Sequence, residues 1–525
     1  MASDQERLEA AVKSGMKDQV SQILSSATDI NVSAAYELAV YNAQHELIKV
    51  IGADSRFKPA PVLQTPTEIL LSGRKILNSE NLIACHLGSF DLRNDTKQVS
   101  VEGLEDFKLK IHSKQGKPVS IDLHPVEILF TDFKDKVSSY FYFLTENVGQ
   151  TVIEFDFLVG GKVCAKAVQK LNTTPDSLWN EKKPIGGRLE VPVYTFDMGI
   201  IGNVTLEYTV VKPCVGGTDE RDPFGGSKTV LVGHRGAGAN RKINIEGKSR
   251  LQLGENTVQS LIKGGEFGAE FVEFDVQLTQ DHIPVIYHDF TTTEWGVHNP
   301  VSNIKFNDFV GNRPKLSRRN SSSNFNKNVE MATIKPNGAG TIQSAFCSLL
   351  QVFQKVPLKT GFNIEVKYPN LEEAQDETLN NAEINTFCDE ILKVVFRNAG
   401  KRKLYFSSFH PEMCLLLRMK QKKYPVFYLT VAGAQKYYDV RLNSLADAVQ
   451  VALDFKLDGV VTYCGPLIDC PALIKKIQNL GLNILSYGGK NNNIEDARIQ
   501  VNAGINGIIV DNVPDIFRVI NQQKE

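Results

Sequence analysis

The sequence lacks the patterns that mark several large classes of protein. Its eight cysteines are scattered without a CxxC pair, which argues against a disulfide framework and favours a reducing compartment. No uninterrupted apolar run approaches the roughly 20 residues that span a bilayer, and the polar N-terminus has no apolar signal core. A formal net charge of −1 provides no basic field for nucleic acid. We therefore expect a soluble, cytoplasmic protein.

Changes of pattern divide the 525 residues into a helical, a β-rich and an alternating part, and a chain this long exceeds one ordinary core. Residues 1–55 repeat apolar positions at helical spacing, which predicts a short, degenerate ankyrin-like segment. Residues 80–213 carry β-branched and aromatic runs separated by turn residues, which predicts an antiparallel β-sandwich. A protein partner could bind either the helices or the sandwich.

The third part predicts a multi-domain α/β protein that ends in a parallel barrel. Residues 214–228 are rich in Gly, Pro and Asp and form the expected linker. Over 229–522, eight strand-like segments alternate with helical ones, which is the count of a TIM (β/α)8 barrel.

A polar insertion interrupts the barrel part at 296–340 and is expected to be partly disordered. Within it, Arg318, Arg319 and Ser321 have the spacing that a basophilic kinase reads, although a solvated basic loop explains them as well. A helix over 341–356 is expected to follow.

Acidic side chains occupy one face of two apolar barrel strands. Glu273 and Asp275 alternate with apolar residues on one strand, and Glu365 and Lys367 do so on another. Taken alone, each strand could be half-exposed, with a solvated acidic face. Buried carboxylates instead require a cation or a proton. If the three converge, their oxygens are the ligands that magnesium or calcium prefers.

Two histidines flank these acids. His234 follows the first barrel strand, beside Arg235, and His288 ends another strand, before Asp289. A cation and Arg235 can neutralise phosphate oxygens, while two histidines can exchange protons as base and acid. This set of side chains indicates phosphodiester cleavage.

The motifs GHRG, GENT, EFDVQLTQD, PVIYHD and IEVK follow one another in this order, and the chain resembles the glycerophosphodiester phosphodiesterase family. The part before the barrel resembles the same region of fungal glycerophosphocholine phosphodiesterases, although their SPX domain is not expected in this chain. The resemblance implies metal-dependent attack on phosphorus by the glycerol hydroxyl of a small diester, followed by opening of a cyclic phosphate. The substrate expected from the resemblance is sn-glycero-3-phosphocholine, cleaved to choline and sn-glycerol 3-phosphate.

Individual roles follow from the resemblance. It implies that His234 and His288 are the catalytic pair, that Glu273, Asp275 and Glu365 bind a divalent metal, and that Arg235, Lys367, Asn256, Ser408 and Tyr487 contact substrate. Tyr487 stands where many family members have tryptophan, and an aromatic ring there could face a choline-like cation. Which histidine acts first stays open.

Two other functions remain as alternatives. A lipid-acting relative, either a lysophospholipase D or a phospholipase C, would share the barrel, but it would need a membrane-binding surface such as a basic amphipathic helix. No such helix is evident in the sequence. An inert barrel that serves as a scaffold would have no reason to keep the charged groups.

Overall fold

The structure is a computed structural model that describes residues 2–58, 75–93, 97–131, 140–171, 186–214, 224, 228–240, 244–245, 248–249, 252–292, 299–311, 341–342, 346–377 and 379–521. The predicted kinase-type spacing at 318–321 and most of the 214–228 linker lie outside these ranges. Among the helices within them, none combines the length and hydropathy needed to span a membrane.

The chain forms two compact units. The first comprises Met1–Arg221, Pro411–Ser486 and Ile499–Asn506, and the second comprises Asp222–His410, Tyr487–Arg498 and Gly507–Glu525.

The N-terminal part consists of four short helices. They are α1 (Asp4–Lys13), α2 (Lys17–Ser26), α3 (Val32–Tyr41) and α4 (His45–Gly52). Ser3 begins α1 with a capping box, because its hydroxyl accepts from the backbone N of Glu6 and the Glu6 carboxylate accepts from the backbone N of Ser3. Apolar residues of all four helices share one buried cluster. The ankyrin-like assignment stays a prediction.

The β-rich part is antiparallel, as predicted. Its ten strands are β1 (Asn81–Leu87), β2 (Val99–Val101), β3 (Lys108–Ser113), β4 (Lys117–Val119), β5 (Ile128–Phe130), β6 (Tyr140–Thr145), β7 (Val152–Val159), β8 (Lys162–Lys170), β9 (Gly186–Thr195) and β10 (Ile200–Val211). Hydrogen bonds join nine of them in the order β4-β6-β1-β10-β9-β8-β7-β3-β5, and β2 pairs with β10. Alternate side chains from these strands point into one core.

The C-terminal part is the predicted eight-stranded parallel barrel. Its strands are β11 (Val230–Gly233), β15 (Phe271–Leu278), β20 (Gly361–Val366), β21 (Leu404–Ser408), β22 (Val426–Thr430), β23 (Gly459–Tyr463), β24 (Asn483–Tyr487) and β25 (Gly507–Val510). The sheet closes because β11 pairs with both β25 and β15. An antiparallel strand, β16 (Pro284–Ile286), extends the end of β15. The carboxyl ends of the parallel strands gather at one rim, where TIM barrels place their sites.

Helices and short strands complete the barrel part. The helices are α5 (Val258–Glu266), α6 (Phe306–Gly311), α7 (Leu349–Lys355), α8 (Leu371–Asp376), α9 (Ile384–Asn398), α10 (Pro411–Lys420), α11 (Leu445–Asp454), α12 (Gly465–Asp469), α13 (Ala472–Asn479), α14 (Ile494–Asn502) and α15 (Val513–Asn521). The short strands are β12 (Asn244–Ile245), β13 (Lys248–Ser249), β14 (Gln252–Leu253), β17 (Thr291–Thr292), β18 (Asn299–Pro300) and β19 (Thr341–Ile342).

One local expectation needs correction. The helix predicted over 341–356 begins only at Leu349, because Ser348 and Gln351 form a capping box there, while Thr341–Ile342 is the strand β19. Residues 299–311 of the predicted insertion include α6, with Val301, Ile304 and Phe309 buried, and the expected partial disorder of the insertion stays a prediction. Residues 312–340 lie outside the described part.

A buried arginine ties the antiparallel sheet to residues after β22 within the first unit. Arg441 is 4% exposed, and its guanidinium contacts the carboxylates of Glu412 and Asp439 at 2.5 and 2.6 Å. It also donates to the hydroxyl of Tyr140 at 2.8 Å and lies 3.8 Å from the ring centroid of Phe90. Removing one partner from a buried ion pair of this kind is strongly destabilising.

Candidate active site

Three carboxylates meet at the carboxyl end of two neighbouring strands. Asp275 of β15 and Glu365 of β20 are register partners, and Glu273 lies one pleat earlier on β15. One oxygen from each carboxylate lies within 4.8 Å of the other two. Glu273 and Asp275 are 3% and 1% exposed, so the alternative of a solvated acidic face is excluded. Within the described residues, this is the group of carboxylates arranged to hold a metal.

Two cations partly balance the three negative charges. The Nζ of Lys367 lies 3.6 Å from Glu365 and 3.9 Å from Asp275, and the Nε of Arg235 lies 3.6 Å from Asp275. Arg235 also pairs with Glu255 at 2.7 Å. Two buried atoms, Asp275 Oδ1 and Arg235 Nε, have no hydrogen-bond partner among the described residues. A buried polar atom normally has a hydrogen-bond partner or a bound ion. The free oxygen of Asp275 therefore fits a divalent cation, and the free Nε–H of Arg235 fits an anionic ligand.

The pKa shifts of these side chains reflect the repulsion between the carboxylates of the cluster. Burial, together with the charges of Asp275 and Glu365, raises the pKa of Glu273 well above its ordinary value. Burial also acts to raise the pKa of Asp275, but the nearby His288, Arg235 and Lys367 lower it. The pKa of Lys367 rises because Glu365 and Asp275 outweigh the effect of its burial. The cluster therefore lacks positive charge, which a divalent ion would supply.

Backbone turns after β11 hold the acids in place. Arg235 has a φ of 49°, and its backbone N donates to the carboxylate of Glu273 at 2.7 Å. Asn256, also in the left-handed region at 55°, donates its side-chain amide to Asp275 at 2.8 Å and accepts from the backbone N of Asp275. The structure thus places the amide of Asn256 against a carboxylate of the cluster, where it orients that carboxylate.

Each histidine is paired with a carboxylate through Nδ1. His234 lies 2.7 Å from the half-buried Asp511, and His288 lies 2.6 Å from the exposed Asp289. In both rings Nδ1 must donate, since an ionised carboxylate only accepts, and this leaves Nε2 as the free acceptor in the neutral ring.

A glutamine from the acidic strand supports the loop that carries His288. The side-chain amide of Gln277, which is 3% exposed, donates to the backbone carbonyls of Tyr287, His288 and Asp289. The face of β15 that carries Glu273 and Asp275 therefore also positions the second histidine.

A cavity of about 100 Å³ lies beside His288. It is lined by Asn240, Glu255, Tyr287, His288, Asp289 and Phe346, among other residues. Carboxylates and aromatic rings share its wall, whereas His234 is not among its lining residues.

Ser408 and Tyr487, the two remaining residues predicted to contact substrate, lie at the same rim, where their side chains contact other protein groups. The hydroxyl of Ser408 is fully buried, donates to the carbonyl of Val366 at 2.8 Å and accepts from the backbone N of His410. The ring of Tyr487 stands edge-on to Phe409, with 6.0 Å between their centroids. A direct substrate contact by either side chain stays a prediction.

Sequence reasoning assigned no role to Asp511, Asn492, Gln277 or Glu255. Asp511 directly follows β25, and Glu255 stands in the GENT motif beside Asn256. The position of each in the sequence could therefore have indicated that it lies at the site. Gln277 had the alternation of β15 as its signal. Asn492 lies in a polar loop after β24, where no pattern distinguishes it from Asn491 or Asn493.

Comparisons with known proteins agree with this geometry. Residues 234–514, more than half of the chain, match the glycerophosphoryl diester phosphodiesterase family, and residues 77–215 match the GDE1-like C2 domain. The chain is 33% identical to the glycerophosphocholine phosphodiesterase GDE1 of Candida albicans, with 86% of this chain and 45% of that protein covered.

Two other relatives extend the comparison. Identity is 39% to the glycerophosphocholine phosphodiesterase gde1 of Schizosaccharomyces pombe, over 56% of this chain and 28% of that protein. It is 30% to the human glycerophosphocholine phosphodiesterase GPCPD1, over 73% of this chain and 60% of that protein. The chain thus spans between 28% and 60% of the length of these relatives.

The resemblance inferred from the order of the motifs is confirmed by the family match and by the relatives. The antiparallel part is C2-like. The chain belongs to the glycerophosphodiester phosphodiesterase family.

Proposed function

We propose that this chain hydrolyses glycerophosphodiesters, with sn-glycero-3-phosphocholine as the preferred substrate and choline and sn-glycerol 3-phosphate as products. The observation that carries the proposal is the placement of two carboxylate-paired histidines at the rim that holds the cluster of three carboxylates, Arg235 and Lys367. The names of the relatives support the choline ester, since three of them are called glycerophosphocholine phosphodiesterases.

Glu273, Asp275 and Glu365 are the residues that would hold magnesium or calcium, because their oxygen-only ligand set suits a hard divalent ion. Such an ion, when bound, supplies charge neutralisation for phosphate oxygens. Arg235 supplies a second positive group, since its Nε is buried without a hydrogen-bond partner among the described residues and can donate to a phosphate oxygen.

The histidines divide the proton transfers. His234 accepts the proton of the glycerol 2-hydroxyl at Nε2, and that oxygen attacks phosphorus. His288, protonated on Nε2, donates to the departing head-group oxygen as its bond to phosphorus breaks. The cavity beside His288 supports this order, because it offers room for the head group on that side. Water then opens the cyclic phosphate with the two roles reversed, which restores both histidines.

The test is incubation of the purified chain with sn-glycero-3-phosphocholine, with and without EDTA, and separate assays of choline and sn-glycerol 3-phosphate. Release of both products, abolished by EDTA and restored by magnesium or calcium, is the expected result. Release of phosphocholine and glycerol would move cleavage to the other ester. Faster turnover of lysophosphatidylcholine would identify a lipid substrate instead, and no activity on any diester would overturn the proposal.

A further inference from the structure

The imidazole of His234 is held by a carboxylate from the far end of the chain. Its Nδ1 donates to Oδ1 of Asp511 at 2.7 Å, across 277 residues of sequence. The backbone N of Ala239 donates to the same oxygen at 2.9 Å. The backbone N of His234 donates to the carbonyl of Val510 at 2.8 Å, so both ends of the contact rest on the pairing of β11 with β25.

Asn492 fixes Asp511 from the opposite side. Its side-chain amide donates to Oδ2 of Asp511 at 2.9 Å. Its side-chain carbonyl accepts from the backbone N of Asp511 at 2.7 Å and of Asn512 at 2.9 Å. Both carboxylate oxygens are therefore occupied by donors, and the rotamer of Asp511 is determined by contacts that do not involve substrate.

These contacts also keep Asp511 ionised. Burial acts to raise the pKa of its carboxyl, but the hydrogen bond and charge of His234 and the donors from Ala239 and Asn492 lower the pKa below its ordinary range. The side chain of Asp511 is 12% exposed, whereas that of Asp289, the partner of His288, is 69% exposed. An ion pair acts more strongly when water is excluded from it.

We propose that Asp511, held by Asn492, is a positioning residue that selects the Nδ1–H tautomer of His234 and aims its Nε2 at the substrate hydroxyl. The inference rests on the proposed function for the identity of that hydroxyl. Asp511 acts through the imidazole, and Asn492 acts through Asp511. Among the described residues, the carboxylate of Asp289 is contacted by the ring of its chain neighbour His288.

The test compares Asp511→Asn, Asn492→Ala and the control Asp515→Asn, a carboxyl in the first turn of α15. In Asp511→Asn, the side chain keeps one acceptor oxygen, which can accept a hydrogen bond from either His234 or the amide of Asn492, but not from both. We expect its kcat to fall about 10²- to 10⁴-fold, as for loss of a base or its correct tautomer, with little change in KM. Asn492→Ala should lose kcat by a smaller factor, and Asp515→Asn should match the wild type.

A second readout does not depend on turnover. Nitrogen-15 shifts of the histidine rings, assigned with His234→Gln, should report a protonated Nδ1 and a bare Nε2 for His234 in the wild type. Asp511→Asn should shift this ring toward the other tautomer. Unchanged kcat and unchanged shifts would overturn the proposal, as would a fall in thermal stability with the tautomer retained. An inactive wild type would instead count against the proposed function, and the shifts would still test the contact.

Discussion

Asp275 and Glu365 occupy paired positions on two adjacent parallel strands, so a buried carboxylate and one that is 12% exposed stand side by side at the barrel rim. Like charges at this spacing repel each other, and Lys367 and Arg235 provide only two positive charges for three carboxylates. The arrangement is stable if a further cation binds or a proton is retained.

Removing one of these carboxylates should weaken metal binding while the fold is retained. We expect Glu365→Gln to need a higher concentration of magnesium or calcium for half-maximal rate, because one anionic ligand is lost while the fold of β20 is kept. Titration of the rate with metal checks this, and Glu266→Gln on the exposed end of α5 is the control. An unchanged titration curve for Glu365→Gln would remove Glu365 from the metal site.

The two histidines should respond differently to the leaving group. Each alanine variant, His234→Ala or His288→Ala, should reduce turnover of sn-glycero-3-phosphocholine about 10²- to 10⁴-fold. With the p-nitrophenyl ester of glycerol phosphate, whose leaving group departs without protonation, His288→Ala should recover most of the rate of p-nitrophenol release in the first turnover. His234→Ala should not, because the attacking hydroxyl still needs a base.

Stopped assays with both esters measure this difference. His124→Ala, an exposed histidine of the antiparallel sheet, is the control. If recovery occurs in His234→Ala instead, the two roles are exchanged. If neither variant loses activity, both assignments are wrong.

The turn after β11 should not tolerate a side chain at Gly236. Its φ is 96°, and an added Cβ would lie 2.5 Å from the backbone carbon of Ser260 in α5. The same serine hydroxyl donates to the carbonyl of Arg235 and accepts from the backbone N of Ala237, so the displaced turn would carry Arg235 with it. Gly236→Ala should therefore lose both thermal stability and activity.

Gly504 is a control that has the left-handed backbone conformation without the steric clash. Gly504 has a φ of 80°, and an added Cβ meets nothing within 4 Å. Gly504→Ala should show only the cost of a left-handed alanine, about 1–2 kcal/mol, and full activity. Equal losses of activity in the two variants would show that the contact with Ser260 does not matter.

The Arg441 network predicts a large stability effect away from the active site. Arg441→Met removes the positive charge and leaves the carboxylates of Glu412 and Asp439, 18% and 21% exposed, without their main partner. Breaking a buried pair in this way costs about 3–5 kcal/mol. Urea denaturation followed by fluorescence should show an earlier transition, whereas Arg7→Ala, which breaks an exposed pair in α1, should leave it in place. An unchanged midpoint for Arg441→Met would contradict the prediction.

The pattern of residues along each strand was sufficient to predict which side chains share a strand face. Side chains alternate along an extended strand, so Glu273, Asp275 and Gln277 were necessarily on one side of β15, and the same rule placed Glu365 and Lys367 together on β20. The order of motifs around them was sufficient to identify the family and the barrel.

Which strand faces meet became known only from the pairing of the strands in the folded protein. Closure of the barrel pairs β25 with β11, and only this pairing brings Asp511 to His234. Asn492 reaches the site from a loop without a distinguishing pattern. The start of α7 was decided by the cap at Ser348, a local hydrogen-bonding choice that outweighed helical spacing in the residues before it. Contacts across hundreds of residues depend on how the strands pair, and side-chain alternation within one strand carries no information about that pairing.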